Sequence, residues 1–226
     1  MRILPTFITL NLTKCLTYPQ FNHLNKTNYI KSTNRLHTFA MSKTALIVAG
    51  NGSEDIEFVA VCDVLHRGGV QISTASVSGN KTITLSHGLK VILDDLVENV
   101  KEKSFDAIVV PGGLDGCVNC AQNLTLIEML KKQKEDGRIY AAICAAPEMV
   151  LAAHGILDAN TPAVGYPGCD TGIPNKGSGR VQVSGNCVTS ISPGSAIEFA
   201  LTLVELLSGP DKMKRVKSGL IPHPSS

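Results

Sequence analysis

The chain has 226 residues, which suits one α/β domain with an extension and argues against two full domains. Hydrophobic residues make up 43% of the sequence and charged residues 18%, so the composition excludes a chain that is disordered throughout. A formal net charge of +2 is too small to indicate a nucleic-acid-binding protein, and no apolar run is long enough to predict a membrane-spanning helix.

Residues 1–40 differ in composition from the rest of the chain. They carry five basic side chains and no acidic one, whereas residues 41–226 carry 16 basic and 19 acidic side chains. A basic, hydroxyl-rich and acid-poor N-terminus is typical of an organellar transit peptide. The alternatives are a poorly ordered extension without a targeting role, sequence upstream of a start at Met41, and, least favoured, a secretory signal. We therefore predict an N-terminal extension over residues 1–40 and a single domain over residues 41–226.

The seven cysteines are scattered along the chain and are odd in number. This pattern does not indicate a disulfide framework. Reduced thiols in an intracellular protein are the simpler interpretation, and we expect a cytoplasmic or mitochondrial location, depending on whether residues 1–40 act as a transit peptide.

Strand patterns alternate with helix patterns from residue 44 onward. The predicted strands are Thr44–Ala49, Val70–Val77, Lys90–Leu93, Phe105–Val110, Ile139–Ile143, Val181–Val183 and Cys187–Ser190. The predicted helices are Glu54–Arg67, Asn123–Glu135, a helix that follows Cys144 and ends at Gly155, and Ser195–Leu207, which is closed by Gly209 and Pro210. Strands separated by helices of this length predict βαβ units, and so a doubly wound α/β domain with a mostly parallel sheet.

The segment after the first strand, Gly50–Glu57, matches a dinucleotide-binding loop only in part. The third glycine of the G-x-G-x-x-G pattern is replaced by Asp55, and Glu54 and Glu57 lie beside it. Three carboxylates at a helix N-terminus would repel a phosphate, so we reject nucleotide binding. Favourable interaction with the helix dipole explains Glu54 and Asp55. Glu57 lies one turn further into the helix, and its local sequence fits a structural and a functional role equally well.

Cys144 lies between the strand Ile139–Ile143 and a helical pattern, so we predict that it occupies a tight turn at the carboxyl edge of the sheet. Alanines on both sides let the chain bend sharply, and Pro147 suits the first helical turn. A helix N-terminus beneath the sulfur favours the thiolate, so we expect a lowered pKa and a reactive thiol. The alternative is a buried, unreactive cysteine.

Gly112 and Gly113 end the central strand Phe105–Val110. Glycines at this place leave a backbone N–H exposed. Together with the N–H of Ala145, it could hold the oxyanion that forms when Cys144 attacks a carbonyl. The alternative is a tight turn that requires a positive φ.

Four motifs in their chain order carry a family resemblance: GSEDIEF, VVPGG, AAICAAP and SPGSAIEFAL. Residues 42–220 resemble the DJ-1/ThiJ/PfpI family, and within it the branch of the parkinsonism-associated protein deglycase. The resemblance implies a flavodoxin-like fold and a homodimer. It also implies that Cys144 is the nucleophile, that Glu57 is its acid partner, and that Gly113 and Ala145 are backbone donors. The implied activity is on glyoxals and on adducts of methylglyoxal with amines or thiols, without a metal or an organic cofactor.

Tyr166 is a departure from this family pattern, because members that act on glyoxals often have a histidine at the matching place. A neutral phenol is a poor base near neutral pH, since its pKa is about 10. We therefore assign proton transfer to Glu57. His87 aligns with a turn that in the family approaches the partner's site, so an imidazole supplied by the partner subunit is the alternative. Gly112, Tyr166 and His87 are candidate pocket residues.

Cys117 and Cys120 directly follow the turn formed by the two glycines. A C-x-x-C pair next to a βαβ pattern can be a redox pair, here as a dithiol partner for oxidised Cys144. The alternative is two thiols without a chemical role. Because no second pair or histidine cluster supplies further ligands, we predict no metal site.

The sequence thus predicts a cysteine enzyme of the glyoxalase or deglycase type that releases 2-hydroxy acids and needs no cofactor. Its expected partners are small reactive carbonyls and glycated amines or thiols, with nucleic acid only as a glycated substrate. An oxidative-stress sensor or redox-regulated chaperone that works through oxidation of Cys144 is the alternative. One thiolate serves both functions, so the sequence does not separate them. A class I amidotransferase or peptidase is disfavoured, because no dedicated histidine and acid follow the Cys144 turn.

Overall fold

Apolar side chains fill the inner strands of one sheet, because strands of a parallel sheet are covered by helices on both faces. The computed structural model describes residues 42–220. Its elements are, in chain order, β1 Thr44–Ala49, α1 Asp55–Arg67, β2 Gln71–Ser76, β3 Thr82–Thr84, β4 Lys90–Ile92, β5 Asp95–Leu96, α2 Val97–Val100, β6 Ala107–Val110, α3 Leu114–Gln122, α4 Leu124–Glu135, β7 Ile139–Ile143, a π-helical turn Pro147–Ala152, β8 Val181–Ser184, β9 Cys187–Ser190, a 3₁₀ turn Pro193–Ser195, α5 Ala196–Ser208 and α6 Pro210–Gly219.

The main sheet has seven strands in the order β5-β2-β1-β6-β7-β9-β8. All neighbouring strands are parallel except β8 and β9, which pair antiparallel. One buried apolar cluster joins the sheet to α1 and α5, and a second joins the opposite face to α3 and α4. This arrangement confirms the predicted doubly wound α/β architecture and its flavodoxin-like fold. The strands β3 and β4 form a separate antiparallel pair.

The boundaries of two predicted helices move by one residue because of side-chain caps. Glu54 lies outside α1 as its N-cap, and its carboxylate accepts a hydrogen bond from the N–H of Glu57 at 2.7 Å. Asn123 caps α4 in the same way, with its side chain accepting from the N–H of Leu126 at 2.9 Å. Such caps satisfy N–H groups that have no partner inside the helix.

Several elements were absent from the sequence prediction or wrong in kind. The helix α3, which carries Cys117 and Cys120, was not predicted. Gly116 lowers the helix propensity of α3, yet it is needed there, because an added Cβ would lie 2.5 Å from Cα of Ser53. Pro210 ends α5 as predicted but also begins α6, since proline suits the first helical position. The helix predicted after Cys144 is a π-helical turn followed by irregular chain, and β3 and β5 are too short to show a periodic pattern.

The predicted extension over residues 1–40 lies outside the described residues, so its structure and targeting role stay predictions. Within residues 42–220, no helix is long and apolar enough to cross a membrane.

Candidate active site

Cys144 occupies the turn between β7 and the π-helical turn, at the carboxyl edge of the sheet. Its φ is 66°, and it is the one non-glycine residue among residues 42–220 with a positive φ. A left-handed conformation costs a residue with a Cβ about 1 to 2 kcal/mol, and such strain is concentrated at functional sites. The N–H of Cys144 donates to the carbonyl of Ser190 at 2.9 Å, and its carbonyl accepts from the N–H of Tyr166 at 2.7 Å. The turn therefore has the predicted tight geometry.

Glu57 lies on α1 with its side chain fully buried. Its Oε2 accepts a hydrogen bond from the N–H of Gly112 at 2.7 Å. Its Oε1 is buried without a well-aligned partner among the described residues, and the thiol of Cys144 interacts with the same carboxyl group. The structure thus brings Glu57 and Cys144 together, as the family resemblance implied.

The environment raises the pKa of both groups. Burial, and to a lesser degree the nearby charge of Glu54, raises the pKa of Glu57 from 4.5 to about 7. The hydrogen bond from the N–H of Gly112 lowers this pKa but does not outweigh burial. Burial and the charge of Glu57 raise the pKa of the Cys144 thiol from 9.0 to about 12. The expectation of a lowered pKa for Cys144 was therefore wrong, because it counted the helix end but not the burial and the facing carboxylate. Between about pH 7 and about pH 12 the pair holds one proton, so a thiolate at Cys144 forms only when Glu57 takes that proton.

Two backbone N–H groups lower the pKa of the Cys144 thiol and so oppose the effects of burial and Glu57. The N–H groups of Ala145 and Gly113 donate to Cys144 and lower the pKa of its thiol, although less than burial and Glu57 raise it. Gly113 has a φ of 85°, which a residue with a Cβ rarely adopts. At Gly112 an added Cβ would lie 2.6 Å from Cβ of Cys144 and 2.8 Å from Oε2 of Glu57. Both glycines are therefore required by the packing of the site.

Tyr166 begins a tight turn beside Cys144. The N–H of Cys169 donates to the carbonyl of Tyr166 at 2.7 Å, and Pro167 and Gly168 lie between them, with a φ of 93° at Gly168. Proline followed by a left-handed glycine is the pattern of a type II turn. Tyr166 is 45% exposed, and its backbone N–H is the group that binds the Cys144 turn. Its assignment as a pocket residue stays a prediction.

His87 contacts the acidic residues at the N-terminus of α1. Its Nδ1 is 3.2 Å from Oδ2 of Asp55 and 3.9 Å from Oε1 of Glu54, and its side chain is 73% exposed. No hydrogen bond among the described residues joins His87 to Cys144 or Glu57. A role for His87 at the site of a partner subunit stays a prediction.

Cys117 and Cys120 both lie fully buried on α3. Burial raises the pKa of the Cys120 thiol to about 12, and burial and the charges of neighbouring groups, Cys144 among them, raise the pKa of Cys117 further. Thiols that are buried and protonated react slowly with oxidants and disulfides. The redox pair stays a prediction, and this environment weighs against it.

Two acidic residues near the site were not predicted as site residues from the sequence: Glu54, interpreted there only as a helix-terminal acid, and Glu148. Glu54 is buried and adds a negative charge beside Glu57, whose pKa it raises. Glu148 lies on the π-helical turn, and its carboxylate binds the chain near residue 172. The signal for Glu54 was its place three residues before Glu57, whereas no local pattern pointed to Glu148.

A cavity of about 200 Å³ lies next to the backbone of the Cys144 turn, and neither Cys144 nor Glu57 is among the residues that line it. Gly165 lines this cavity, and an added Cβ at Gly165 would lie 3.3 Å from the carbonyl oxygen of Cys144. Over residues 42–220, no three or more His, Cys, Asp or Glu side chains are grouped so that they could hold a metal ion. The expectation that the site works without a metal or cofactor stays a prediction.

Comparison with known proteins gives consistent matches. A family model described as the DJ-1/PfpI family matches residues 43–206. Protein DJ-1 homolog A of Arabidopsis thaliana is 39% identical over 194 residues, which is 82% of this chain and 48% of that protein. Glutathione-independent glyoxalase DJR-1.2 of Caenorhabditis elegans is 36% identical over 76% of this chain and 93% of that protein. The structure described as Toxoplasma gondii DJ-1, oxidized, superposes with a TM-score of 0.78 and 38% identity over 80% of this chain and 98% of that one. The chain therefore spans about half the length of the Arabidopsis relative and nearly the full length of the other two.

Proposed function

The chain belongs to the DJ-1/PfpI family, and on this premise we propose that it is a cysteine-dependent glyoxalase or protein deglycase. Its substrates would be methylglyoxal, glyoxal and their adducts with amines or thiols, and its products 2-hydroxy acids. The observation that carries the proposal is the contact between the buried carboxyl of Glu57 and Cys144, whose sulfur also receives the N–H groups of Ala145 and Gly113. The printed name of the Caenorhabditis elegans relative, a glutathione-independent glyoxalase, supports this reaction class.

In the first step, the sulfur of Cys144 bonds to the aldehyde carbon of methylglyoxal while its proton passes to the carboxylate of Glu57. The aldehyde oxygen becomes an oxyanion that the N–H groups of Ala145 and Gly113 stabilise. Protonation of this oxygen by Glu57 gives a hemithioacetal and restores the carboxylate. When the substrate is an adduct, the sulfur of Cys144 displaces the amine or thiol from the same carbon, and Glu57 passes the proton that it took from Cys144 to the leaving group.

In the second step, the carboxylate of Glu57 removes the proton from the former aldehyde carbon and returns it to the neighbouring ketone carbon, while the proton of the new hydroxyl group passes to the ketone oxygen. The product is a thioester of the 2-hydroxy acid on Cys144. Water then cleaves the thioester, which releases the acid and restores the thiol. In total, one dicarbonyl and one water give one 2-hydroxy acid, so no external oxidant or reductant is needed.

We further propose that the protein works as a homodimer in the cytoplasm or in mitochondria. In this dimer His87, oriented by Asp55, would be the residue that supplies an imidazole to the partner's site. Sedimentation of the full chain followed by turnover of His87→Ala tests this part. Unchanged turnover in a confirmed dimer contradicts a role for His87 in the partner's site.

The chemical test of the proposed function is proton NMR of methylglyoxal with the purified full chain in D₂O. We expect lactate as the product, with deuterium at C2, because a proton held by Glu57 exchanges with solvent before it is returned. The matched pair Glu57→Gln and Glu205→Gln separates the site from a general charge effect, since Glu205 is exposed on α5. Lactate formation that persists in Glu57→Gln at the wild-type rate would remove Glu57 from the mechanism.

A second candidate function is a sensor of oxidative stress or a redox-regulated chaperone. Cys144 would be oxidised by a peroxide to the sulfenic acid and then, by a second peroxide, to the sulfinic acid. The protonated carboxyl of Glu57 and the N–H groups of Ala145 and Gly113 would donate hydrogen bonds to a sulfinate, and the similar Toxoplasma gondii structure is described as oxidized, which supports this candidate. Peptide mass spectrometry after peroxide treatment, with Cys144→Ala as the control, tests it. Oxidation that is spread evenly over all cysteines contradicts this function.

A further inference from the structure

Glu148 makes contacts that the proposed chemistry does not use. It lies four residues after Cys144 on the π-helical turn, and its side chain is half-buried. Its Oε1 accepts hydrogen bonds from the N–H of Gly172 at 3.0 Å and from the hydroxyl of Thr171 at 3.3 Å. An added Cβ at Gly172 would lie 2.9 Å from this oxygen, so the loop approaches the carboxylate closely at a residue without a side chain.

The segment that Glu148 binds, residues 166–172, is also bound to the nucleophile at its other end. The N–H of Tyr166 donates to the carbonyl of Cys144 at 2.7 Å, and the type II turn then leads to Cys169. The loop therefore has two anchors on one short stretch of chain, at Cys144 and at Glu148. Tyr166 belongs to the same loop.

A role as a helix-terminal acid does not account for these contacts. An acid in the first helical turn interacts favourably with the helix dipole while it remains in water. Oε2 of Glu148 is instead buried, with no partner among the described residues, and a buried carboxylate oxygen without a partner costs desolvation free energy. The bonds of Oε1 to Thr171 and Gly172 are the contacts that offset this cost. The contacts of the Glu148 side chain therefore serve to bind the loop of residues 166–172.

We propose that Glu148 is a positioning residue that holds the loop of residues 166–172 against the Cys144 turn and so sets the shape of the substrate pocket. The loop contacts the Cys144 turn through the backbone N–H of Tyr166. Two further residues of the loop, Pro167 and Asp170, line the adjacent cavity. Release of its second anchor leaves the reacting groups Cys144 and Glu57 unchanged but widens the space beside them. The effect on substrate binding rests on the proposed function, whereas the effect on the loop does not.

Cys169 supplies a reporter of the loop that is independent of turnover, because it lies half-buried between the two anchors. We expect Glu148→Ala to raise the rate of Cys169 alkylation by iodoacetamide about fivefold or more, since local opening exposes the thiol. Glu148→Gln keeps an acceptor oxygen and is expected to stay within about twofold of the wild type. Glu205→Ala is the matched control, because Glu205 is exposed on α5 and makes no side-chain hydrogen bond among the described residues.

The kinetic measurement is made on the same variants with methylglyoxal. Glu148→Ala should raise KM about fivefold and leave kcat within about twofold, because binding is loosened while the reacting groups are kept. Unchanged alkylation of Cys169 in Glu148→Ala overturns the proposal, and so does faster alkylation with an unchanged KM, since the loop would then not shape the pocket. If the wild type shows no turnover, the proposed function fails, and the alkylation rates still decide whether Glu148 holds the loop.

Discussion

The carboxyl group of Glu57 lies buried against the thiol of Cys144, although one residue is on α1 and the other follows β7. Burial holds the pKa of Glu57 at about 7 and that of Cys144 at about 12. Between these two values the pair carries one proton and one negative charge. The chemistry of the site depends on how that proton is divided between oxygen and sulfur.

The first prediction concerns the pH dependence of Cys144 alkylation. Between about pH 8 and about pH 10 the pair keeps one proton, so the fraction of thiolate, and with it the alkylation rate, should be nearly constant in the wild type. In Glu57→Gln the thiol ionises alone, and the rate should rise about tenfold per pH unit until the thiol is ionised. Iodoacetamide labelling followed by peptide mass spectrometry measures both. Parallel pH profiles for the two proteins contradict the shared proton.

The second prediction concerns stability. The pKa of Glu57 is raised in the folded protein, so its contribution to stability is complete below about pH 4.5 and is lost as the pH rises through about 7. We expect the free energy of unfolding of the wild type, relative to Glu57→Gln, to fall by about 2 to 3 kcal/mol between about pH 5 and about pH 8. Urea unfolding at the two pH values measures this difference. A constant difference would mean that Glu57 ionises with an ordinary pKa.

The third prediction concerns the strained turn. Because Cys144 has a φ of 66°, glycine at this position avoids a strain that alanine keeps. We expect Cys144→Gly to be more stable than Cys144→Ala by about 1 kcal/mol, the reverse of the order within a helix or strand. Thermal or urea unfolding of the two inactive variants decides the question. Higher stability of the alanine variant contradicts the left-handed conformation.

The parts of the site that are local in sequence could be predicted from the sequence. The alanines around Cys144 and the proline at 147 indicated a sharp turn after a strand, and that turn is present. The pKa of Cys144 could not be predicted in this way, because it depends on the burial of its own thiol and on the charge of Glu57, which another element supplies. The contacts of Glu148 were missed for the same reason, since a loop more than twenty residues later supplies them.

In the fold, too, the elements with a clear local pattern were predicted, whereas those that depend on packing against distant residues were missed. Long apolar strands such as β1 and β7 were predicted with their observed bounds, because a buried parallel strand is apolar along its whole length. The helix α3 was missed, since Gly116 weakens its pattern and is kept for close packing on Ser53. Sequence periodicity therefore identified the core elements, and tertiary packing determined those that lie beside the site.

The fourth prediction concerns Tyr166. If its phenol takes no part in proton transfer, Tyr166→Phe should change kcat less than about twofold, whereas Tyr166→His should raise kcat about tenfold or more by adding a base with a pKa near neutral pH. Steady-state kinetics with methylglyoxal measures both variants. A loss in Tyr166→Phe as large as that in Cys144→Ala would show that the phenol is an essential donor and that Glu57 does not act alone.

The central claim is that Cys144 forms a covalent bond with a dicarbonyl and converts it to a 2-hydroxy acid. The most direct measurement is the rate of lactate formation from methylglyoxal by the wild type, by Cys144→Ala and by the matched variant Cys62→Ala, since Cys62 is a half-buried cysteine on α1 outside the site. The account predicts turnover in the wild type and in Cys62→Ala, and a loss of about 10³-fold or more in Cys144→Ala. Equal lactate formation by all three proteins, or none by the wild type while Cys144 still oxidises readily to the sulfinic acid, would contradict it.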